Sequence, residues 1–342
     1  MTALPRIGFM LGDVTGIGPE IAAKLLASGQ PREQAEVVIV GDPRVLELGM
    51  RNAGVRVLHT VYRNIEDIRW PRQDYPLLDL GNTDPAQYLQ GQSSDEAGKL
   101  AGDTLKVMID LATAGKLDGI CFAPLNKGAM NRGGWKFNDE HQMFASLLKH
   151  QGFFGEMNVI EQFSTFRVTS HVALREAVNM ITPERITAAV NLAHDTLTAA
   201  GKANPRIGVA ALNPHNGENG LFGDEEIRII RPTVDKLKAG GIRCSGPISS
   251  DVIFLQALKG QFDGVVMMYH DQGQIATKLL GFNKGVTVTA GLKSVFTTPA
   301  HGTAYDIVGQ GKADPGAMAH AFTLAARMAA GRKAAKAASA AA

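Results

Sequence analysis

The sequence predicts an α/β fold with a substantially parallel sheet. Three observations carry this reading. Short apolar runs alternate with longer segments at helical spacing along most of the chain, the pattern of strands connected by crossover helices. Several of those runs end in polar clusters, where sheets of this kind place their sites. Glycine is abundant, 38 of 342 residues, and sits singly at element ends without a three-residue period.

The elements follow in order. Residues 6–11 read as a strand and residues 18–27 as a helix opened by Pro19, whose fixed φ suits a first turn. Residues 37–40 read as a strand, 42–53 as a helix, and 55–60 and 75–79 as short strands. Residues 93–114 alternate at helical spacing until Gly115, and 118–122 form a strand before Ala123-Pro124-Leu125-Asn126-Lys127. Strands are expected at 156–162, 167–169, 206–211 and 263–268, and helices at 182–201, 225–241 and 251–260. The Ala-rich stretch from Ala325 reads as a terminal helix.

Composition excludes several classes. Lys plus Arg total 35 and Asp plus Glu 33, a net charge of +2, with no basic face for nucleic acid. Hydrophobic residues make up 45% and charged residues 20%, unlike a disordered chain. Two cysteines make no disulfide framework and suit a reducing compartment. No apolar run reaches the roughly eighteen residues of a membrane span, and the N-terminus is not a signal peptide. The expectation is a cytoplasmic chain with no nucleic-acid or membrane partner. Its length fits roughly two domains of about 150 residues, or one large one.

Four clusters carry candidate chemistry. Gly12-Asp13-Val14-Thr15-Gly16-Ile17-Gly18-Pro19-Glu20 follows a strand and opens a helix. Ile21 stands where a dinucleotide fingerprint would have its third glycine. The segment is a tight turn or a ligand loop, with Asp13 at the strand end. His171, His215 and His270 each stand just beyond an apolar strand. They would form a divalent-metal site if their strands converge, and are otherwise separate loop histidines. Asn126 and Lys127 form another polar strand end, and Lys278 follows His270. A lysine there is an acid or anchor, or simply a surface residue. Small residues in Pro299-Ala300-His301-Gly302-Thr303-Ala304-Tyr305-Asp306 would admit a cofactor.

Together these motifs resemble the PdxA family, typified by 4-hydroxythreonine-4-phosphate dehydrogenase, over about residues 6–327. The carriers are the Gly12–Glu20 segment, Pro124-Leu125-Asn126-Lys127, Leu212-Asn213-Pro214-His215-x-Gly217-Glu218, Tyr269-His270-Asp271-Gln272-Gly273 and His301-Gly302-Thr303-Ala304. The resemblance implies a two-domain α/β/α architecture like that of isocitrate and isopropylmalate dehydrogenases. One lobe is expected at 1–137 plus 297–342 and the other at 138–296, with the active site in the cleft. It implies a homodimer with sites completed across the interface. It also implies NAD or NADP, for which Gly12, Asp13, Gly16, His301 and Asp306 are the candidates. A divalent metal, usually zinc, would sit on His171, His215 and His270. Asp251 takes the position of the family's cleft aspartate and Lys278 that of its lysine.

The sequence departs from the family at the substrate. Where phosphate-using members carry Gly-His-Thr-Glu, this chain has Asp139-Glu140-His141-Gln142, so Glu140 and His141 replace the His-Thr pair. Thr287 replaces an asparagine and Phe296 an arginine. A carboxylate beside a phosphate is unfavourable unless neutralised, and arginine-to-phenylalanine removes a bidentate anion clamp. The expected substrate is therefore a non-phosphorylated hydroxy acid or cis-dihydrodiol carboxylate such as the terephthalate dihydrodiol. The alternatives are 4-hydroxythreonine 4-phosphate or a phosphorylated sugar acid. The expected reaction is NAD(P)-dependent oxidation of a secondary alcohol, with decarboxylation of a β-keto product. Asp251, Lys278 and Lys127 are its catalytic candidates, and Asn126 a substrate donor. A non-catalytic binding protein on the same fold is the competing class.

Overall fold

The structure is a computed structural model describing residues 4–281 and 285–341, with side chains described as far as residue 337. The chain forms two compact units, Met1–Gln151 with Leu292–Ala342, and Gly152–Gly291. The sequence put the crossings at 137/138 and 296/297. The observed boundaries instead assign Glu140, His141 and Phe296 to the first unit. The reason is packing: Phe144 stacks on Phe296 at 4.2 Å between centroids and meets Phe122 edge-on at 5.8 Å.

The first unit begins β1 (Arg6–Met10), α1 (Gly18–Ala27), α2 (Gln30–Gln34), β2 (Glu36–Gly41) and α3 (Pro43–Ala53). It continues β3 (His59–Tyr62), β4 (Tyr75–Asp79), α4 (Asp95–Thr113), β5 (Gly119–Phe122), α5 (Lys127–Arg132) and α6 (Glu140–Leu147). The second unit runs β6 (Gly155–Val159), β7 (Ser164–Arg167), α7 (Leu174–Asn179), α8 (Pro183–Ala199), β8 (Ile207–Ala210) and α9 (Arg231–Ala239). It ends with β9 (Cys244–Ile248), α10 (Ser250–Leu258), β10 (Gly264–Met267), α11 (His270–Gly281) and β11 (Val286–Ala290). The chain then returns to the first unit with β12 (Val295–Pro299) and α12 (Gly316–Ala341).

Strands of the first unit lie in the order β3-β4-β2-β1-β5-β12, and every pair is parallel. The near-continuous apolar reading of β1 and β2 follows, because a parallel sheet is covered on both faces. Ile7, Phe9, Val38, Ile39 and Val40 are all fully buried. From β1 the chain moves to β2 on one side and later to β5 on the other. The carboxyl ends of β1 and β5 therefore form a topological switch point, where such sheets bind ligands.

The second unit orders its strands β11-β6-β7-β10-β8-β9. β11, β6 and β7 pair antiparallel, whereas β7, β10, β8 and β9 pair parallel. Its core gathers Ile160, Phe163, Ile253, Phe254, Phe262, Val265 and Met267. Several boundaries differ from the sequence reading. β7 ends at Arg167, where a strand was expected to begin, and α6, α11, β9, β11 and β12 were not foreseen.

Candidate functional site

In the first unit three loops meet beyond β1, β5 and β12. Gly12 takes φ +83°, and a Cβ there would lie 2.8 Å from the Pro124 carbonyl oxygen, so only glycine fits. The Asp13 amide donates to that same carbonyl at 3.0 Å. Gly16 is held as closely, since a Cβ would meet Thr303 at 2.9 Å, and the Ile17 amide donates to the Thr303 carbonyl. Asp13 is 2% exposed, and its Oδ1 accepts from the Thr15 amide at 2.9 Å and the Thr15 hydroxyl at 2.8 Å. Its Oδ2 accepts from the Tyr305 hydroxyl at 2.7 Å. Asn126 Nδ2 donates to the same phenol oxygen at 2.9 Å, and Asn126 Oδ1 caps α5 by accepting from the Ala129 amide at 2.9 Å. Burial and the Asp13 carboxylate both raise the Tyr305 phenol pKa. Tyr305 was not singled out from the sequence; its signal was a lone aromatic among small residues in the last cluster. His301 is half-buried with Nδ1 beside the Gly302 carbonyl, and Asp306 is exposed.

Lys127 and Glu140 open α5 and α6, and their charged atoms pair at 2.9 Å. The Glu140 side chain is 6% exposed against 49% for Lys127. His141 is buried with Nε2 3.9 Å from the other Glu140 oxygen. The expected repulsion between Glu140 and a phosphate is therefore countered by a lysine already on that carboxylate. Phe296 is fully buried on β12, stacked on Phe144. Its apolar surface packs in the core of the first unit.

In the second unit the three histidines follow three adjacent strands, His171 after β7, His270 after β10 and His215 after β8. The rings of His171 and His270 lie 5.3 Å apart between centroids, tilted by 43°. His270 Nδ1 sits 2.6 Å from Asp271 Oδ1, the outer carboxylate contact that orients ligating imidazoles. His215 is not gathered with them: the described residues contain no cluster of three or more His, Cys, Asp or Glu able to hold a metal. The described residues thus bring two of the three candidate histidines near one another and do not assemble the expected three-histidine site. His215 begins a run in which residues 215–219 all have positive φ, from 43° to 77°. The base of this left-handed turn is held by Glu226, itself fully buried. Glu226 Oε1 accepts from the Leu212 and Asn213 amides at 2.7 Å each, and Oε2 from Asn213 Nδ2 at 2.9 Å.

Two further residues escaped the sequence reading. Gln272 accepts from the Met268 amide at 2.7 Å and donates to the Ala211 carbonyl at 2.7 Å and the Ser250 hydroxyl at 2.8 Å. It thereby ties together the ends of β10 and β8 and the start of α10. Arg167, 6% exposed, donates to Glu156 at 2.8 Å and to Gln274 at 2.5 Å. Glu156 also accepts from Asn158, and the buried Thr287 hydroxyl donates to Asn158 at 3.5 Å. Thr287 thus ends a polar ladder across β11, β6 and β7. Asp251 and Lys278 are exposed on α10 and α11.

The comparisons with known proteins agree in kind. A family model described as the pyridoxal phosphate biosynthetic protein PdxA matches residues 33–325. A relative from Pseudomonas aeruginosa, provisionally named 4-hydroxythreonine-4-phosphate dehydrogenase 2, is 44% identical over 331 residues, covering 95% of this chain and 97% of the relative. A D-threonate 4-phosphate dehydrogenase from Cupriavidus necator is 40% identical over 328 residues, covering 95% and 98%. Among solved structures, a 4-hydroxythreonine-4-phosphate dehydrogenase from Burkholderia phymatum matches with TM-score 0.80 and 37% identity, covering 96% and 99%. A terephthalate 1,2-cis-dihydrodiol dehydrogenase from Burkholderia xenovorans matches less well, with TM-score 0.65 and 25% identity, covering 91% and 94%.

Proposed function

The chain belongs to the PdxA family, and from that premise we propose that it is a nicotinamide-dependent dehydrogenase oxidising the secondary alcohol of a 4-phosphorylated hydroxy acid. One observation carries the choice of substrate. The Cupriavidus necator relative and the Burkholderia phymatum structure match over nearly their whole length, and both are named for such a phosphorylated acid. The grounds for a non-phosphorylated diol are correspondingly thin. Phe296 is stacked into the core, and Glu140 is paired with Lys127.

In the proposed reaction the alcohol carbon gives a hydride to NAD or NADP and the hydroxyl gives its proton to a general base. When the oxidised carbon lies β to the carboxylate, the keto acid then loses CO2. Asn126, Lys127 and His141 are the proposed contacts of the substrate's polar end, Lys278 orients its carboxylate or protonates the intermediate, and Asp251 holds the substrate or assists the metal. The Gly12–Gly16 loop with Asp13, and the His301–Asp306 segment, are proposed for the nucleotide. A divalent metal, zinc by preference, would be held by His171 and His270 with His215 as third ligand. When bound it would polarise the substrate hydroxyl. A homodimer is proposed as the working form, and the exposed Leu255, Ile275 and Leu279 of the second unit support an interface there.

The test is a reduction screen of NAD and of NADP. It pairs 4-hydroxythreonine 4-phosphate, D-threonate 4-phosphate and a cis-dihydrodiol carboxylate with enzyme prepared with and without added zinc. Turnover of a phosphorylated acid supports the reading. Turnover of the diol alone would replace it with the ring substrate, and no turnover with any of them would return the binding-protein class.

A further inference from the structure

We infer that Tyr305 is a positioning residue whose hydroxyl joins Asp13 and Asn126 across the switch point of the first unit and so sets the nucleotide-binding loop. This inference rests on the assignment of the Gly12–Gly16 loop to the nucleotide. The direction of every hydrogen bond in the chain is fixed by its ends. Asn126 Oδ1 accepts from the Ala129 amide, which turns Nδ2 toward Tyr305, where it donates at 2.9 Å. An amide donating to the phenol oxygen leaves the phenol proton for Asp13 Oδ2, at 2.7 Å. Asp13 Oδ1 is already engaged by Thr15 through two bonds. The phenol thus stays protonated and works as a strut rather than a base, and its raised pKa agrees with that.

The placement gives the strut its purpose. Asp13 follows β1, Asn126 follows β5 and Tyr305 follows β12, three neighbouring parallel strands. Ala304, just before Tyr305, is held at φ +42°, a left-handed backbone that a residue with a Cβ adopts only when its surroundings demand it. Packing alone would be served by a phenylalanine; only the hydroxyl explains the two bonds to polar partners on separate loops. Without it, Asn126 and Asp13 each lose a partner, and the two loops are no longer linked through side chains at this point.

The test is Tyr305→Phe, which keeps the ring and removes the oxygen. Two readouts are taken on the full chain. By hydrogen exchange, the Thr15 and Ala129 amides should exchange about tenfold faster in the variant, as expected for a lost hydrogen bond of ordinary strength, while the strand amides of β1 and β5 stay unchanged. In steady-state kinetics with the phosphorylated acid, KM for the nicotinamide nucleotide should rise about tenfold while kcat stays near that of the parent. A fall in kcat with nucleotide KM unchanged would overturn the positioning role. So would unchanged exchange at either amide, because the claim is that one hydroxyl holds both loops. If the parent chain reduces no nucleotide at all, the proposed function fails, and the exchange measurement still decides the role of Tyr305.

Discussion

Glu226 offers the sharpest quantitative prediction. It is fully buried and accepts three hydrogen bonds from the segment that leads into His215. Beyond it, His215, Asn216, Glu218 and Asn219 hold left-handed backbones, at about 1–2 kcal/mol each. That strain sums to roughly 4–8 kcal/mol for the four residues. Removing the carboxylate leaves the Leu212 and Asn213 backbone amides without their acceptor, at about 1–3 kcal/mol for each buried group, while Asn213 Nδ2 keeps its bond to Glu225. The two sums are of one size, so Glu226→Ala should let the turn relax toward ordinary conformations. Glu226→Gln keeps an acceptor for the two backbone amides and loses chiefly the bond from Asn213, at about 1–2 kcal/mol. Hydrogen exchange over residues 211–222 should therefore show graded loss of protection, small for the glutamine and large for the alanine variant. Dehydrogenase activity should fall in the same order. Full protection and full activity in Glu226→Ala would refute the idea that this carboxylate holds the turn.

Phe296→Ala should destabilise the first unit by about 3–5 kcal/mol through the cavity beside Phe144, whereas Phe296→Leu should keep the substrate preference; thermal melting and the substrate screen check the two. Gln272→Ala leaves the Met268 amide without its acceptor and the Ala211 carbonyl with the Ser250 hydroxyl as its donor, and should cost about 1–3 kcal/mol in chemical denaturation of the second unit. The Arg206 guanidinium holds the Asp263 carboxyl down at about 2 against an ordinary 3.8. A depressed carboxyl stabilises above its unfolded pKa, so this increment is complete above about pH 4 and fades as pH falls toward 2. Solvent screening at the half-exposed arginine limits it to about 1 kcal/mol. The stability gap between the parent and Asp263→Asn should accordingly narrow by about that amount from pH 6 to pH 2.

Some of this was legible in the sequence, for physical reasons. β1 and α1 could be read because an apolar run, a glycine turn and Pro19 at the first helical turn all agree. The three histidines could be read because each closes an apolar strand, and those strands prove to be neighbours. α11 was hidden by Asp271-Gln272-Gly273, which reads as a loop; the glycine is needed instead because a Cβ would overlap the Met267 sulfur. β9 was hidden by Gly246-Pro247, residues that disfavour strands. The surroundings of Phe296 and Glu140 were hidden because their partners, Phe144 and Lys127, are brought to them only by the tertiary fold. Tyr305 stayed invisible for the same reason: a phenol's role depends on Asp13 and Asn126, both remote in sequence.

The proposed substrate is tested most directly by the kcat/KM for D-threonate 4-phosphate against that for D-threonate, followed by nucleotide reduction. A phosphate held by charge-assisted hydrogen bonds should favour the phosphorylated acid by at least about tenfold to a hundredfold. Equal efficiencies, or a preference for the unphosphorylated acid, would contradict it.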